Sequence, residues 1–383
     1  LWSRASAVFA VEGPLARADA AYRPRQAQLA MAQAVCRAIE DRGTLVAEAG
    51  TGVGKSFAYL LPAALHADRN QGQGPVVIST RTIALQEQLE KKDLPFLHAV
   101  LPFEWSSTTA VGRNNHLCLR RMHLADREEA LLYDDERQAQ LRRIVHWSLT
   151  AKETTRQELP FPVQGEVWDE VQAEHGNCLN RACKHYEVCG WQRARRRAET
   201  AQVLVVNHAL YFADLALRLA GATFLPEHRV VVFDEAHHLE RVATDSLGLR
   251  LSAATIGWHL RRLQPRRSDR SLLRRHGTPR ATMLLEELRM ANDQFFADLD
   301  GRLHTTSQGE NAARNGGGLG DEVIHEPLTP LLAALAQELG TTALRIEQVD
   351  VRMELQARAS GLAALAGLVT ALCDPGRHAG PPL

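Results

Sequence analysis

The feature that most constrains this chain is a glycine-rich stretch, which reads Ala49, Gly50, Thr51, Gly52, Val53, Gly54, Lys55 and Ser56. A short apolar run, Thr44 to Ala47, precedes it, and an apolar segment beginning at Phe57 follows it. This order predicts a strand, a loop and a helix, which is the context of a phosphate-binding loop. Glycines let successive backbone N–H groups converge on an anion at a helix N-terminus.

Two side chains of this loop carry chemistry. We expect Lys55 to reach the β- and γ-phosphates of ATP, and the Ser56 hydroxyl to bind Mg²⁺. Ala49 stands where the motif has its first glycine, and we expect so small a residue to fit. The alternative is a chance glycine-rich turn, and a second motif downstream argues against it.

That second motif follows an apolar run, Val230 to Phe233, which predicts a buried strand of a parallel sheet. The run ends in Asp234-Glu235-Ala236-His237, at the edge where open α/β sheets bind ligands. We expect Asp234 to hold Mg²⁺ through water, and Glu235 to orient and deprotonate the water that attacks the γ-phosphate. His237 either takes part in this catalytic step or makes only a polar contact beside the carboxylates.

Residues upstream of the loop offer polar groups to the adenine base. Gln28 lies at the start of a predicted helix, Leu29 to Ile39, and Arg25 is close by. The Gln28 amide pairs a donor with an acceptor, which matches adenine N6 and N7. A polar helix N-terminus without a ligand is the alternative.

Further strands complete an α/β pattern. Apolar runs at Val76 to Ile78 and Val203 to Val206 are each followed by helical periodicity, which predicts a parallel sheet with crossover helices. The hydroxyls of Ser79 and Thr80, with Arg81, suit either a nucleic-acid phosphate or a helix N-cap.

The cysteines are unevenly distributed. Six are present, and no secretion signal is recognisable, because the apolar run Ala7 to Val11 is too short. Reduced thiols or metal ligands are therefore expected. Cys36 and Cys373 lie in apolar helical patterns and are predicted core residues. The other four suit either a [4Fe–4S] cluster, which the wide spacing favours, or Zn²⁺; they are Cys118, Cys178, Cys183 and Cys189.

The last third of the chain is predicted to be helical. Leu328 to Leu339 follows helical spacing, and Ala343 to Leu372 predicts one long helix with a break near Gly361. Between them, Ser307 to Gly320 is typical of a flexible loop. The apolar run Leu362 to Cys373 is too short to span a bilayer, so a buried helix is expected.

Basic tracts are local, because the formal net charge of the chain is zero. Each tract favours equally a nucleic-acid contact or a solvated helix face. The first tract follows Trp191 and comprises Arg193, Arg195, Arg196 and Arg197. The second tract comprises Arg261, Arg262, Arg266, Arg267, Arg270, Arg274, Arg275 and Arg280.

Together these motifs resemble the iron–sulfur DNA helicases of superfamily 2, the XPD/DinG family, and most closely its bacterial DinG/YoaA branch. The resemblance covers residues 22–240 and rests on the glycine-rich loop, the Asp234 to His237 motif, Gly112 to Cys118 and the three later cysteines. It implies ATP-driven 5′→3′ unwinding of DNA in repair or replication. It also implies that the four clustered cysteines bind a [4Fe–4S] cluster.

The family pattern implies a domain plan. A RecA-like, α/β first motor domain would take residues 1–110 and 200–245, an iron–sulfur domain 111–199, and a mostly helical arch domain 246–383. Nothing after residue 245 resembles a second motor domain, so we expect an N-terminal fragment that binds nucleotide weakly and DNA modestly, and does not unwind.

Partners follow from the same resemblance: ATP, single-stranded DNA, and DNA junctions or forks. Replication or repair proteins are further partners, and the expected state is a cytoplasmic, nucleoid-associated monomer without a membrane role. Two alternatives stay open. One is a DNA-binding or partner-binding scaffold that does not hydrolyse ATP; the other is an unrelated phosphate-loop ATPase with structural zinc.

Overall fold

The computed structural model describes residues 1–70, 72, 74–132, 135–219, 221–264, 271–306, 324 and 326–373. The predicted loop Ser307 to Gly320 and the arginines Arg266, Arg267 and Arg270 lie outside these residues. The chain divides into two compact units. Unit 1 comprises residues 1–112 and 192–248, and unit 2 comprises residues 113–191 and the described residues from 249 onward.

Helices and strands alternate in the first part of the chain, and helices dominate the rest. In chain order they are α1 (Trp2–Phe9), α2 (Pro14–Ala18), α3 (Gln26–Glu40), α4 (Lys55–Arg69), β1 (Val76–Thr80), α5 (Ile83–Gln88), α6 (Leu94–Val100), β2 (Ser107–Thr109), α7 (Leu119–Leu132), α8 (Asp135–Ser148), α9 (Gly165–Val171), α10 (Gly190–Thr200), β3 (Val203–Asn207), α11 (His208–Leu219), β4 (Val230–Phe233), α12 (Leu239–Leu247), α13 (Ala253–Leu263), α14 (Leu272–His276), α15 (Pro279–Thr306), α16 (Leu328–Leu344) and α17 (Val349–Cys373).

Unit 1 is built on a parallel sheet with the strand order β2-β3-β1-β4. The central strand β1 pairs with both neighbours, so that Ile78 lies opposite Val205 on β3 and Val232 on β4. β1 is buried along its whole length, and α4 packs against it with an almost wholly buried middle. The predicted α/β class with a parallel sheet is confirmed. Cys36 is a buried core residue here, as predicted.

The strand predicted at Thr44 to Ala47 is absent. Residues 44–50 have no regular secondary structure, and Val46 is 94% exposed. A strand requires a hydrogen-bonded neighbour, and within the described residues the sheet ends at β4. The same edge position explains why β4, predicted as buried, is only half-buried.

Unit 2 has two apolar cores. One forms among α7, α8 and α9, around Trp168 and Leu141. The other forms among α13 to α17 and contains Cys373, which confirms its prediction as a core residue. The predicted long helix from Ala343 is wrong in its start, because α16 ends at Leu344 and α17 begins at Val349.

Gly361 does not interrupt α17. A Cβ atom at this position would lie 2.8 Å from the His259 ring. The glycine therefore permits close packing of α13 on α17 instead of ending a helix.

Among the described helices, α17 is the one that is long and apolar enough to cross a membrane by length and composition. At 25 residues it is longer than the predicted apolar run, because it begins at Val349. A core helix of a globular domain meets the same criterion. Here one face of α17, including Leu355 and Leu362, packs into the core of unit 2.

Candidate nucleotide site and cysteine region

The glycine-rich loop of unit 1 ends directly in helix α4, whose first residue is Lys55. Gly54 caps this helix in the left-handed conformation with φ +89°, and Gly52 has φ +77°. A Cβ atom on Gly54 would lie 2.2 Å from Gln28 Nε2. Both the backbone angles and the close approach therefore require glycine here.

Gln28 and Arg25 lie beside this loop. The Gln28 amide is buried and donates a hydrogen bond to the Gly54 carbonyl at 3.0 Å. Its oxygen accepts a hydrogen bond from the Tyr22 hydroxyl at 3.2 Å. Arg25 Nη1 lies 4.0 Å from the position that a Cβ atom on Gly52 would take. Gln28 thus ties α3 to the phosphate loop, and Tyr22 is a polar neighbour that sequence reasoning missed.

The Asp234 to His237 segment meets the loop at the carboxyl end of β4. Lys55 Nζ lies 3.6 Å from Glu235 Oε1, and each side chain is about one-third exposed. His237 Nδ1 lies 3.6 Å from the other oxygen of Glu235, although the His237 side chain is 65% exposed. Glu235 itself has φ +57°, which is a strained conformation for a residue with a side chain.

Asp234 is the more buried carboxylate of this pair. Its backbone N–H donates to the Ser79 carbonyl at 2.8 Å, which fixes the end of β4 against β1. Burial, followed by the charge of Glu235, raises the pKa of Asp234, while the Tyr59 hydroxyl and Lys55 oppose the rise. A nearby cation would stabilise the ionised form of such a carboxylate.

Two buried polar residues extend the site, and the sequence analysis did not identify them. The Tyr59 hydroxyl donates to Asp234 Oδ2 at 3.3 Å. Asp93 is 4% exposed, and burial raises its pKa, while the nearby Ser56 and Gln88 side chains oppose the rise. Tyr59 lies on the same face of α4 as Ser56, since the two are three residues apart. That spacing is the sequence signal that could have indicated Tyr59.

The Ser79 and Thr80 side chains are fully buried, so neither is available to a nucleic-acid phosphate in this structure. The Ser79 hydroxyl lies 2.7 Å from His208 Nδ1, and burial lowers the pKa of His208. The N-cap of α5 is Thr82, whose hydroxyl accepts from the Leu85 N–H at 3.2 Å. The N-cap predicted at Ser79 or Thr80 is therefore displaced to Thr82, and Arg81 is exposed.

The four clustered cysteines all lie in unit 2 and form no disulfide. Cys118 immediately precedes α7, and Cys178 Sγ accepts a hydrogen bond from the Asn180 N–H at 3.4 Å. Burial raises the pKa of Cys118; the Cys189 thiol adds to the rise, while the Arg121 backbone N–H and the nearby arginines oppose it. Four cysteines without a disulfide suit an iron–sulfur cluster chemically. Among the described residues, however, no three His, Cys, Asp or Glu side chains converge as they would around one metal ion.

A buried network of charges lies beside these cysteines in unit 2. Glu354 on α17 accepts from Arg121 Nε at 2.7 Å, from Arg358 Nη2 at 2.9 Å and from Asn177 Nδ2 at 2.8 Å. We call this network the arginine–glutamate cluster; its members are Arg120, Arg121, Asn177, Glu174, Arg262, Asp350, Glu354 and Arg358.

The arginine–glutamate cluster overturns one expectation from the sequence and perturbs two carboxylates. Arg262, predicted to lie on a solvated or nucleic-acid-facing surface, has a 5% exposed side chain that pairs with Glu174. Burial alone would raise the pKa of Glu354, but Arg121 and Arg358 lower it to about 2. The same balance holds the pKa of Glu174 far below its ordinary value, through Arg358, Arg121 and Arg262.

Two family models match the chain. Residues 27–114 match the DEAD/DEAH box helicase model, and residues 107–256 match the DEAD_2 model. These matches include the glycine-rich loop, the four clustered cysteines and the Asp234 to His237 segment. The class defined by the fold and the site is therefore that of the DEAD/DEAH box helicases, whose family models residues 27–256 match.

Within this class the chain is DinG/YoaA-like. It is 37% identical over 250 residues to the ATP-dependent DNA helicase YoaA of Escherichia coli (strain K12), a match that covers 64% of this chain and 38% of that protein. It is 38% identical over 258 residues to the ATP-dependent helicase DinG of Mycobacterium tuberculosis (strain ATCC 25618 / H37Rv), covering 62% of this chain and 38% of that protein. The matched part thus spans well under half of these relatives.

Proposed function

We propose that this chain provides the ATP-binding part of an ATP-dependent DNA helicase that unwinds DNA with 5′→3′ polarity in repair or replication. The observation that carries the proposal is the meeting of Lys55 and Glu235 at 3.6 Å. These residues come from two distant motifs, a phosphate loop and the end of a parallel strand. The similarity to proteins named ATP-dependent DNA helicase supports the nature of the substrate.

Each residue of the site has a proposed task. Gly52 and Gly54 shape the loop around the phosphates, and Lys55 binds the β- and γ-phosphate oxygens. Ser56 and Asp234 would hold Mg²⁺, which neutralises charge on the phosphates when it is bound. Glu235 orients the attacking water and accepts its proton, with His237 beside it. Gln28 holds the loop through its hydrogen bond to the Gly54 carbonyl, and the proposed task of Gln28 and Arg25 toward the nucleotide is to bind the adenine base.

We also propose that Cys118, Cys178, Cys183 and Cys189 bind a [4Fe–4S] cluster. The proposed iron–sulfur domain comprises residues 111–199, and the proposed helical arch domain comprises residues 246–383. The presence of four cysteines in one unit, none of them in a disulfide, supports a cluster, because such clusters are held by cysteine thiolates. Iron and labile sulfide should be found in anaerobically purified protein, in the ratio of a [4Fe–4S] cluster. Zinc without sulfide would contradict the cluster and favour structural zinc.

Single-stranded DNA, forks and junctions are the proposed DNA partners, and a monomer acting in the bacterial cytoplasm is the proposed state. The chain alone should bind ATP and DNA without unwinding. Unwinding is expected when the chain is joined to a second motor domain of the kind that helicases close on ATP. Robust strand separation by the 383 residues alone would contradict this division of labour.

The decisive test is DNA-stimulated ATP hydrolysis by such a two-motor protein. Lys55→Ala should abolish it, because a charge-assisted contact to phosphate contributes roughly 1.5–3 kcal/mol to binding alone. Lys91→Ala is the matched control, since Lys91 is exposed and pairs with Glu87 four residues earlier. If the unaltered protein binds DNA but hydrolyses no ATP, a scaffold role replaces the helicase.

A further inference from the structure

The phosphate loop of unit 1 rests on buried polar groups that the proposed chemistry has not used. Asp93 ends a π-helical turn, Leu89–Asp93, between α5 and α6. Such turns are rare and occur often at functional sites. Asp93 is 4% exposed, although its neighbours Lys91 and Lys92 are exposed. The turn thus directs one carboxylate of a charged segment into the protein interior.

A buried carboxylate is costly unless it is paired with a cation or fully hydrogen-bonded. Asp93 forms no ion pair within 4.0 Å among the described residues. The Ser56 and Gln88 side chains lie close enough to stabilise its ionised form, yet its Oδ2 atom is buried without a hydrogen-bond partner. The group is therefore under-compensated next to the hydroxyl that the phosphate loop offers to Mg²⁺.

Tyr59 continues this arrangement toward Asp234. The Ser56 hydroxyl, which has a single proton to donate, lies close to both Asp93 and the Tyr59 hydroxyl, and Tyr59 donates a hydrogen bond to Asp234 Oδ2 at 3.3 Å. Asp93, Ser56, Tyr59 and Asp234 thus form one connected series of polar groups. Its ends come from a π-helical turn and from β4, and its middle from α4.

We propose that Asp93 and Tyr59 are positioning residues of the magnesium–nucleotide site: Asp93 orients the Ser56 hydroxyl, and Tyr59 orients the Asp234 carboxylate. A serine whose proton points to Asp93 or Tyr59 directs its oxygen lone pairs away from them, toward a cation. A carboxylate whose Oδ2 is held by Tyr59 keeps Oδ1 at a fixed angle. This inference rests on the proposed function, because it assumes that the site binds Mg²⁺ with the nucleotide.

The test compares nucleotide affinity with and without Mg²⁺, using fluorescently labelled ADP titrated against the 383-residue chain in MgCl₂ or in EDTA. Asp93→Asn and Asp93→Ala should each reduce the gain in affinity that Mg²⁺ provides, by about ten-fold for the alanine variant and less for the isosteric asparagine. Tyr59→Phe should reduce the gain by about three-fold, because the carboxylate loses one long hydrogen bond from an uncharged donor. Affinity in EDTA should be unchanged in all three variants.

Asp68→Asn is the matched control, since Asp68 lies on α4 and pairs at 2.9 Å with a half-exposed Arg4 side chain, away from the loop. Its magnesium-dependent gain should equal that of the unaltered chain. A purely structural role for Asp93 would lower the unfolding temperature and weaken binding equally in MgCl₂ and EDTA, which would overturn the inference. Asp93→Asn keeps the shape of the side chain, so it remains informative if the alanine variant does not fold.

The inference and the proposed function fail in different ways. If the unaltered chain gains no affinity from Mg²⁺, the proposed function fails and the inference falls with it. If the unaltered chain gains affinity and Asp93→Asn gains equally, only the inference is overturned.

Discussion

The nucleotide site of unit 1 and the arginine–glutamate cluster of unit 2 both bury carboxylates, but the pKa values of these carboxylates are shifted in opposite directions. In the cluster, Arg121 and Arg358 hold Glu354 ionised and lower its pKa to about 2. In the nucleotide site, burial raises the pKa values of both Asp93 and Asp234. In the cluster, arginine side chains of the protein stabilise the ionised carboxylates. In the nucleotide site, a bound metal ion would stabilise them.

This contrast distinguishes a structural use of charge from a functional one. Strongly perturbed pKa values occur in both settings, so the size of a perturbation does not identify a site. Its direction and its partners are more informative. Buried acids with arginines on several sides stabilise a fold, whereas buried acids beside a phosphate loop without such partners are suited to binding a metal ion.

The largest effect is expected when the balance of the arginine–glutamate cluster is broken. Glu354→Ala should lower the free energy of unfolding by about 3–5 kcal/mol, because Arg121 and Arg358 would be left buried without this partner. Urea denaturation of the whole chain measures it. Glu199→Ala is the control, because the exposed Arg195–Glu199 pair on α10 should contribute nothing measurable. A loss below about 1 kcal/mol would show that the cluster is not the main tie within unit 2.

Acid should weaken the same cluster. The pKa of Glu354 falls from 4.5 to about 2 on folding. A lowered acid pKa contributes stability that is present above the unfolded value and is lost as the pH falls through the folded value. Stability should therefore decrease between about pH 4.5 and pH 2, by on the order of 3 kcal/mol from this residue. Denaturation curves at several pH values measure this, and Glu354→Ala should show a shallower dependence; identical slopes would contradict the assignment.

A smaller effect is expected at the nucleotide site, which depends on backbone shape more than on ion pairs. Gly54→Ala should cost roughly 1–2 kcal/mol, because its left-handed backbone disfavours a Cβ atom, and more if Gln28 must move. Gly50→Ala is the matched control within the same loop, since no atom lies within 4 Å of its Cβ position. Thermal unfolding without nucleotide compares the two variants. Equal unfolding temperatures would mean that the loop relaxes freely and that its shape is not held by α3.

Much of this architecture could be predicted from the sequence. The apolar runs identified β1, β3 and β4 to within two residues, because strands buried in a parallel sheet require continuous apolar side chains. The convergence of Lys55 with Glu235 could also be foreseen from the two motifs, since ligands of open α/β sheets bind at the carboxyl ends of the strands. The strand β2 was missed because Ser107, Thr108 and Thr109 carry no apolar pattern.

Other features depend on neighbours that are distant in the sequence. The segment Thr44 to Ala47 is as apolar as many strands, yet it has no adjacent strand to pair with in the described part of the chain. Arg262 lies in a run of arginines typical of a surface, yet Glu174 from another part of unit 2 buries it. Local composition does not reveal either outcome, because hydrogen-bond and charge partners are properties of the folded chain.

The sequence by itself determined which residue types could carry chemistry in this protein: a glycine-rich loop with Lys55 and Ser56, a carboxylate pair after an apolar strand, and four cysteines in one region of the chain. These signals are local, because the motif spacing and the residue types are sufficient to specify them. Only the tertiary structure decided which side chains support that chemistry. Asp93 and Tyr59 reach Ser56 and Asp234 through burial and packing, and Glu354 meets its arginines in the same way. Such contacts form because desolvated polar groups must find partners when the chain folds.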